Sequence, residues 1–240
     1  MNIQKLVHEQ WPAREVCPSH GWLLRYTGGV TKRANSVYPL GEPDDLDAAV
    51  AAAEAFYRAR GEPAVFSLDD AASAGLDAEL AARGYTVADP TLVLTRPLDG
   101  AWDPPAHPVA LSGVPSDGWL ECWWAVDGRG GDVELAAARG ILTGVPSTYA
   151  SIGDGPPDAV GRVTITDGWA GIYCMAVRPD RRRRGLGRAI LAALLTAARD
   201  GGAATAYLTV VAANTVARSL YAGLGFTAAG GYHYRRNDDK

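Results

Sequence analysis

Lysine is almost missing from this chain of 240 residues: it occurs only at Lys5, Lys32 and Lys240, so nearly all positive charge is arginine, a bias of genome base composition rather than of chemistry. An excess of positive charge is missing too. Lys and Arg number 23 against 27 Asp and Glu, a net charge of −4, which excludes nucleic acid as the main partner. The three cysteines, Cys17, Cys122 and Cys174, are odd in number and far apart, with no C-x-x-C and only four histidines, which excludes a disulfide framework and a zinc site. No apolar run reaches the length of a membrane helix, and Met1-Asn2-Ile3-Gln4-Lys5 lacks the apolar stretch of a signal peptide. The expectation is a cytoplasmic protein with free thiols, no metal and no membrane partner.

What is present is 48% hydrophobic and 21% charged residues, enough apolar surface for two cores. The most informative stretch is Arg182-Arg183-Arg184-Gly185-Leu186-Gly187. Before it, residues 169–177 form an apolar run rich in β-formers, closed by Arg178-Pro179. After it, Leu186, Ile190 and Leu194 recur at helical spacing with Leu191, Leu195 and Ala198 beside them, and Gly201-Gly202 stop the pattern. Strand, glycine-bearing turn and helix start make an anion site, because the first-turn N–H groups lack partners within the helix and the macrodipole is positive there. Gly185 and Gly187 admit a phosphate closely and the arginines neutralise it. A diphosphate ligand follows, the other reading being a solvated basic run. The spacing fits neither the dinucleotide G-x-G-x-x-G nor the Walker loop.

Arg182, Gly185 and Gly187 spell R-x-x-G-x-G and resemble the acetyl-CoA pyrophosphate signature of the GCN5-related N-acetyltransferases (GNAT). Downstream, residues 206–211 read as a strand. Asn214 opens a helix carrying Val216, Leu220 and Leu224, with Gly225 as its cap. Residues 214–226 resemble the second acyl-CoA motif of that family, residues 232–235 form the last strand, and the match covers about residues 108–236. The resemblance implies acetyl-CoA as cofactor, bound by Met175, Ala176, Val177, Arg182, Arg183, Arg184, Gly185, Leu186, Gly187, Arg188, Asn214 and Tyr221. It also implies that Tyr221 protonates the departing thiolate, that the strand ending at Val177 pairs with the pantetheine arm and polarises the thioester, and that Asn214 caps the helix or meets pantetheine. A glutamate found in some members on the strand before the loop is absent: Ile172, Tyr173 and Cys174 stand there. Glu121, Glu134, Asp167 and His233 are the candidate bases. A lone cysteine in an apolar strand is read as a small hydrophobe, so direct transfer without an acyl-enzyme is expected.

The first half reads in the same order: strands at 21–27 and 34–38, a helix at 44–60, a strand at 63–68, a helix at 76–83 and a strand at 91–95. Sliding the chain by 141 residues sets Gly84-Tyr85-Thr86 on Gly225-Phe226-Thr227 and Phe66 on Tyr207 without gaps, which argues for duplication. In that register Leu80 replaces Tyr221, Ser73 replaces Asn214, and Gly41-Glu42-Pro43-Asp44-Asp45-Leu46 replaces the arginine loop. The expected fold class is therefore a mixed α/β (α+β) sheet of two tandem GNAT folds. Residues 1–97 form a degenerate lobe, 98–108 a linker and 109–240 the catalytic domain.

Residues 25–36 are dense in hydrogen-bonding groups. They form either a solvated hairpin turning at Gly28-Gly29 or, through Arg33, Asn35 and Ser36, part of the acceptor site. With the tandem arrangement this hairpin resembles a bacterial branch of the family. Helices at 116–126 and 132–142 offer Trp119, Trp123 and Trp124 as pocket walls or as core. The expected substrate residues are thus Arg33, Asn35, Trp123, Glu134 and His233. The expected activity is acetyl-CoA-dependent N-acetylation of a primary amine on a small molecule. The alternatives are a protein or peptide acceptor, or a non-enzymatic acyl-CoA sensor.

Overall fold

A computed structural model describes residues 3–71, 73–128 and 130–237. The first half runs α1 (Ile3–Gln10), β1 (Glu15–Ser19), β2 (Trp22–Tyr26), β3 (Val37–Pro39), α2 (Leu46–Arg58), β4 (Val65–Asp69), α3 (Ala74–Ala82) and β5 (Thr86–Pro97). The second runs β6 (Ala110–Ser112), α4 (Asp117–Asp127), α5 (Asp132–Thr143), β7 (Thr148–Ile152), β8 (Ala159–Thr166), β9 (Trp169–Val177), α6 (Leu186–Asp200), β10 (Thr205–Val211), α7 (Thr215–Ala222) and β11 (Thr227–Arg236). Among the described residues no helix is long and apolar enough to cross a membrane.

All strands join one mixed sheet of eleven, ordered β1-β2-β3-β4-β11-β5-β10-β9-β8-β7-β6. The 141-residue offset survives in three dimensions, carrying α2 into α6, β4 onto β10, α3 onto α7 and β5 onto β11. The final strand of each half sits beside the other half's penultimate parallel strand: β11 pairs with β4, β5 with β10, and β11 and β5 pair with each other. The two halves therefore share the centre of the sheet.

Periodicity explains the helices. In α6, Leu186, Ile190, Leu191, Leu194, Leu195 and Ala198 are buried on one stripe against β7, β8 and β9. On the other face α1 and α4 pack on β8 and β9, in a cluster that includes Trp11, Trp119, Trp123 and Tyr173. A third cluster, under α2 and α3, contains Trp22, Val37, Ala53, Phe66 and Leu80.

The strand expected at 34–38 begins later, because Lys32–Ala34 is a 3-10 helix. Asn35 explains this: its Oδ1 accepts from Thr27 N–H at 2.6 Å and Gly29 N–H at 2.9 Å, and its Nδ2 donates to Thr31 O at 2.7 Å. These local bonds compete with the ladder. Helix α1 is anchored by Gln10, a fully buried polar residue whose Nε2 donates to Trp169 O at 3.1 Å and whose Oε1 accepts from Tyr207 Oη at 2.8 Å.

Candidate active site

Strand β9 leads through a 3-10 turn (Pro179–Arg181) to α6, with Arg183 at φ +61° and the N-cap Gly185 at φ +77°. No side chain caps this helix start. Arg182, Arg183, Arg184 and Gly185 are exposed. Arg181 pairs with Asp158 at 3.3 Å, whereas among the described residues no carboxylate pairs with Arg182, Arg183 or Arg184. Arg188 donates to Gly223 O at 3.1 Å, tying α6 to the end of α7. A Cβ on Gly187 would lie 3.5 Å from both Leu220 Cδ2 and Val177 Cγ2, ordinary contact, so the start of α6 packs beside β9 and α7. Free first-turn N–H groups, a left-handed glycine and guanidinium groups without a carboxylate partner together suit a pyrophosphate.

Beside this loop the sheet opens. β9 and β10 pair in parallel from Trp169/Thr205 to Ile172/Leu208 and no further. At the fork Cys174 takes φ +55°, and β9 shifts its register against β8 between Val160 and Arg162. The bulge re-aims the strand at Met175, Ala176 and Val177. Asn214 caps α7, its Oδ1 accepting from Ala217 N–H at 3.1 Å.

Tyr221 on α7 is buried, with its ring 6.1 Å from that of Phe226. Burial, followed by the negative charge of Asp127, pushes its hydroxyl up to about 12, so it holds its proton at neutral pH. The Cys174 thiol is also pushed up to about 12 by burial, against the pull of Arg162 and Arg33 and with a smaller push from Asp127. A thiol so protonated is a poor nucleophile. Asp127, which ends α4, is thus within electrostatic reach of both Tyr221 and the fork.

A cavity of about 330 Å³ lies where the halves meet. Its walls come from the β2–β3 loop (Lys32, Arg33, Asn35), from the part of β10 that has left β9 (Thr209, Val211), from β11 (Tyr232, Tyr234), and from Asp127 and Glu134. Arg33, Asn35 and Glu134 are therefore brought together. Glu134 also accepts from Gly131 N–H at 2.8 Å at the start of α5. Trp123 is placed elsewhere: it is 2% exposed, packed 6.4 Å from Trp11 and 6.3 Å from Trp119, between the helices and the sheet. His233 is also elsewhere. Tyr232 and Tyr234 face the cavity, so strand alternation turns His233 to α3, where it bonds Asp70 at 2.9 Å and Asp77 at 2.6 Å. Of the other candidate bases, Glu121 is exposed on α4 and Asp167 pairs with Lys5 at 3.7 Å in the β8–β9 turn. Asp127 was not among the sequence candidates. Its signal is a carboxylate in the last turn of a helix with no basic residue beside it, where the macrodipole repels it.

The corresponding site in the first half is built differently. The start of α2 is capped by Asp45, whose carboxylate accepts from Ala48 N–H at 3.0 Å. Leu80, at the Tyr221 position, is fully buried in the core.

The family model described as "Probable histone acetyltransferase Rv0428c C-terminal" matches residues 2–236. An uncharacterized N-acetyltransferase, YobR of Bacillus subtilis, is 29% identical over 240 residues, 97% of this chain and 96% of that protein. The ribosomal protein bS18-alanine N-acetyltransferase of Escherichia coli K12 is 45% identical over 71 residues, 30% of this chain and 47% of that protein. In fold the chain is similar to a GCN5-related N-acetyltransferase from Kribbella flavida (TM-score 0.70, 20% identity, 98% of this chain and 94% of that one). It is also similar to a tandem GNAT protein from the clavulanic acid biosynthesis pathway (TM-score 0.65, 15% identity, 99% and 87%). One expectation is corrected. The curated relatives whose names state an acceptor, the bS18-alanine acetyltransferases, modify a ribosomal protein, which overturns the small-molecule amine expected from the sequence. The chain is a GNAT acetyltransferase and belongs to the family of the Rv0428c C-terminal region.

Proposed function

We propose that the protein acetylates the α-amine of a protein or peptide N-terminus, using acetyl-CoA held by its second half alone. One observation supports the reading: the cavity is lined by Thr209 and Val211, on the part of β10 that has left β9, and by Asp127, whose charge acts on Tyr221. Acetyl-CoA, when bound, supplies the thioester that the amine attacks. Arg182, Arg183 and Arg184, with the N–H groups of Gly185, Leu186, Gly187 and Arg188, take its pyrophosphate. The backbone of Met175, Ala176 and Val177 pairs with its pantetheine arm, and an N–H there polarises the carbonyl. Asn214 fixes the start of α7, and Tyr221, which keeps its proton, donates a hydrogen bond to the sulfur. Asp127 anchors the incoming ammonium at the negative end of α4.

The acceptor class follows from what lines the cavity. It has carboxylates but no histidine, so the amine arrives largely able to lose its own proton to solvent. An α-amine, with a pKa of about 7.8, is roughly one-third neutral at pH 7.5; a lysine near 10.4 is neutral in about one molecule in a thousand. The named substrate of the bS18 relatives, an alanine of a ribosomal protein, agrees with an α-amine. In the first half, Asp45 holds the position an anion would need, and Leu80 has no proton to give, which supports a lobe without a cofactor site.

The test is to incubate the protein with acetyl-CoA and two peptides of one sequence, one with a free N-terminus and no lysine, the other N-terminally blocked with an internal lysine. Mass spectrometry should find acetylation of the first; acetylation of the lysine peptide alone would contradict the reading.

A further inference from the structure

Arg33 lines the cavity with a charge that the protein does not neutralise. Its guanidinium makes no hydrogen bond or ion pair among the described residues, and its Nε is buried without a partner. It is held by ring faces instead, 4.8 Å from the centroid of Trp11 and 6.0 Å from that of Tyr173. Two further guanidinium groups are buried nearby. Arg162 is fully buried over the same two rings, at 5.7 and 5.6 Å, and bonds only neutral groups, Gln10 O at 3.3 Å and Ser147 Oγ at 3.0 Å. Arg25 is 1% exposed, bonds Ser36 through its carbonyl and hydroxyl, and leaves Nη1 unpartnered.

The contrast with the adjacent residue is informative. Lys32, on the same loop, is given a carboxylate, Asp89 at 2.6 Å. The three arginines are given none. Arg33 is half-buried with its Nε enclosed, and a desolvated cation without a counter-ion is penalised, so an anion from outside is the expected complement. Of the three, only Arg33 reaches the cavity.

We propose that Arg33 selects acceptors by binding a carboxylate, so that the preferred N-terminus carries Asp or Glu within its first three residues. The planar fork of guanidinium donors matches a carboxylate in two parallel bonds, while Asp127, which lines the same cavity, receives the ammonium. The inference rests on the peptide-acetylating reading, and its test separates the two.

Two peptides with free N-termini, identical except for Glu or Gln at position 2, would be titrated into the protein by calorimetry and compared in kcat/KM for acetylation, with a second pair placing the substitution at position 3. The Glu peptide of at least one pair should bind about tenfold or more tightly and react faster by a similar factor, the effect of a charge-assisted bond. In Arg33→Met that ratio should fall towards one, and Arg33→Lys should keep part of it; melting curves and acetyl-CoA affinity report that the variants are folded. Equal binding of acid and amide peptides in both pairs, or an unchanged ratio in Arg33→Met, would overturn the proposal. If binding prefers the acid but no peptide is acetylated, the carboxylate site stands and the reading of the reaction fails.

Discussion

Helices α2 and α6 occupy equivalent places in the two halves, and their first turns are opposites. The start of α6 presents free N–H groups, a left-handed glycine and three arginines without carboxylate partners. The start of α2 carries Glu42, Asp44 and Asp45, and Asp45 satisfies the helix itself. The helix start is thus capped by a carboxylate in one half and carries a glycine without a side-chain cap in the other. The helices that follow differ in kind as well. α7 buries Tyr221 beside Phe226, while α3 buries Leu80 and uses Asp77 to grip β11 through Arg235 Nε at 2.7 Å and His233 at 2.6 Å. In the proposed reading one half supplies the cofactor site; the other supplies a cavity wall and holds the exchanged strand.

The largest effect that could break this comparison is at the helix starts. Gly187→Glu brings bulk and negative charge beside Val177 and Leu220, and acetyl-CoA affinity measured by calorimetry should fall about a hundredfold or more. Asp45→Ala in the other half should leave that affinity unchanged and cost about 1 kcal/mol of stability, the loss of an N-cap. Equal affinity in Gly187→Glu would remove the site from α6.

A smaller effect separates the second helices. Tyr221→Phe removes one hydrogen-bond donor at the sulfur, so kcat should fall roughly ten- to a hundredfold with little change in acetyl-CoA binding. An undiminished rate would take Tyr221 out of the reaction.

The smallest effect sharpens the structural role of α3. Hydrogen bonds from Arg235 and then His233 hold the Asp77 carboxyl down to about 2. Because the folded value lies below the unfolded one, near 3.8, this stabilisation is complete above about pH 4 and is lost as pH falls through 2. The denaturation midpoint should therefore drop between pH 4 and 2, and drop less in Asp77→Asn. Parallel pH profiles for the two proteins would show that the grip on β11 contributes nothing.

Much of this was legible in the sequence because it rests on local patterns. The α6 stripe, the glycine loop and the 141-residue offset are all periodic or short-range, and they gave the elements and the turn before α6. What escaped depends on partners far apart in the chain. Helix α1 is fixed by Gln10 meeting Tyr207, and nothing local marks a glutamine for burial. The exchange of β5 and β11 is a matter of strand order, to which periodicity is blind. His233 was offered as a base because the motif gave its strand but not its face; alternation from Tyr232 and Tyr234 decides that face once the cavity is known. Asp127 carried a faint local sign, an acid against a helix dipole, that gains meaning only when Tyr221 and the fork are seen beside it.

The most direct test of the central claim is a calorimetric titration of acetyl-CoA into the full chain, read for stoichiometry. One site per chain, lost in Gly187→Glu, is the expected result. Two sites, or one that survives that substitution, would contradict an account in which only the second half binds the cofactor.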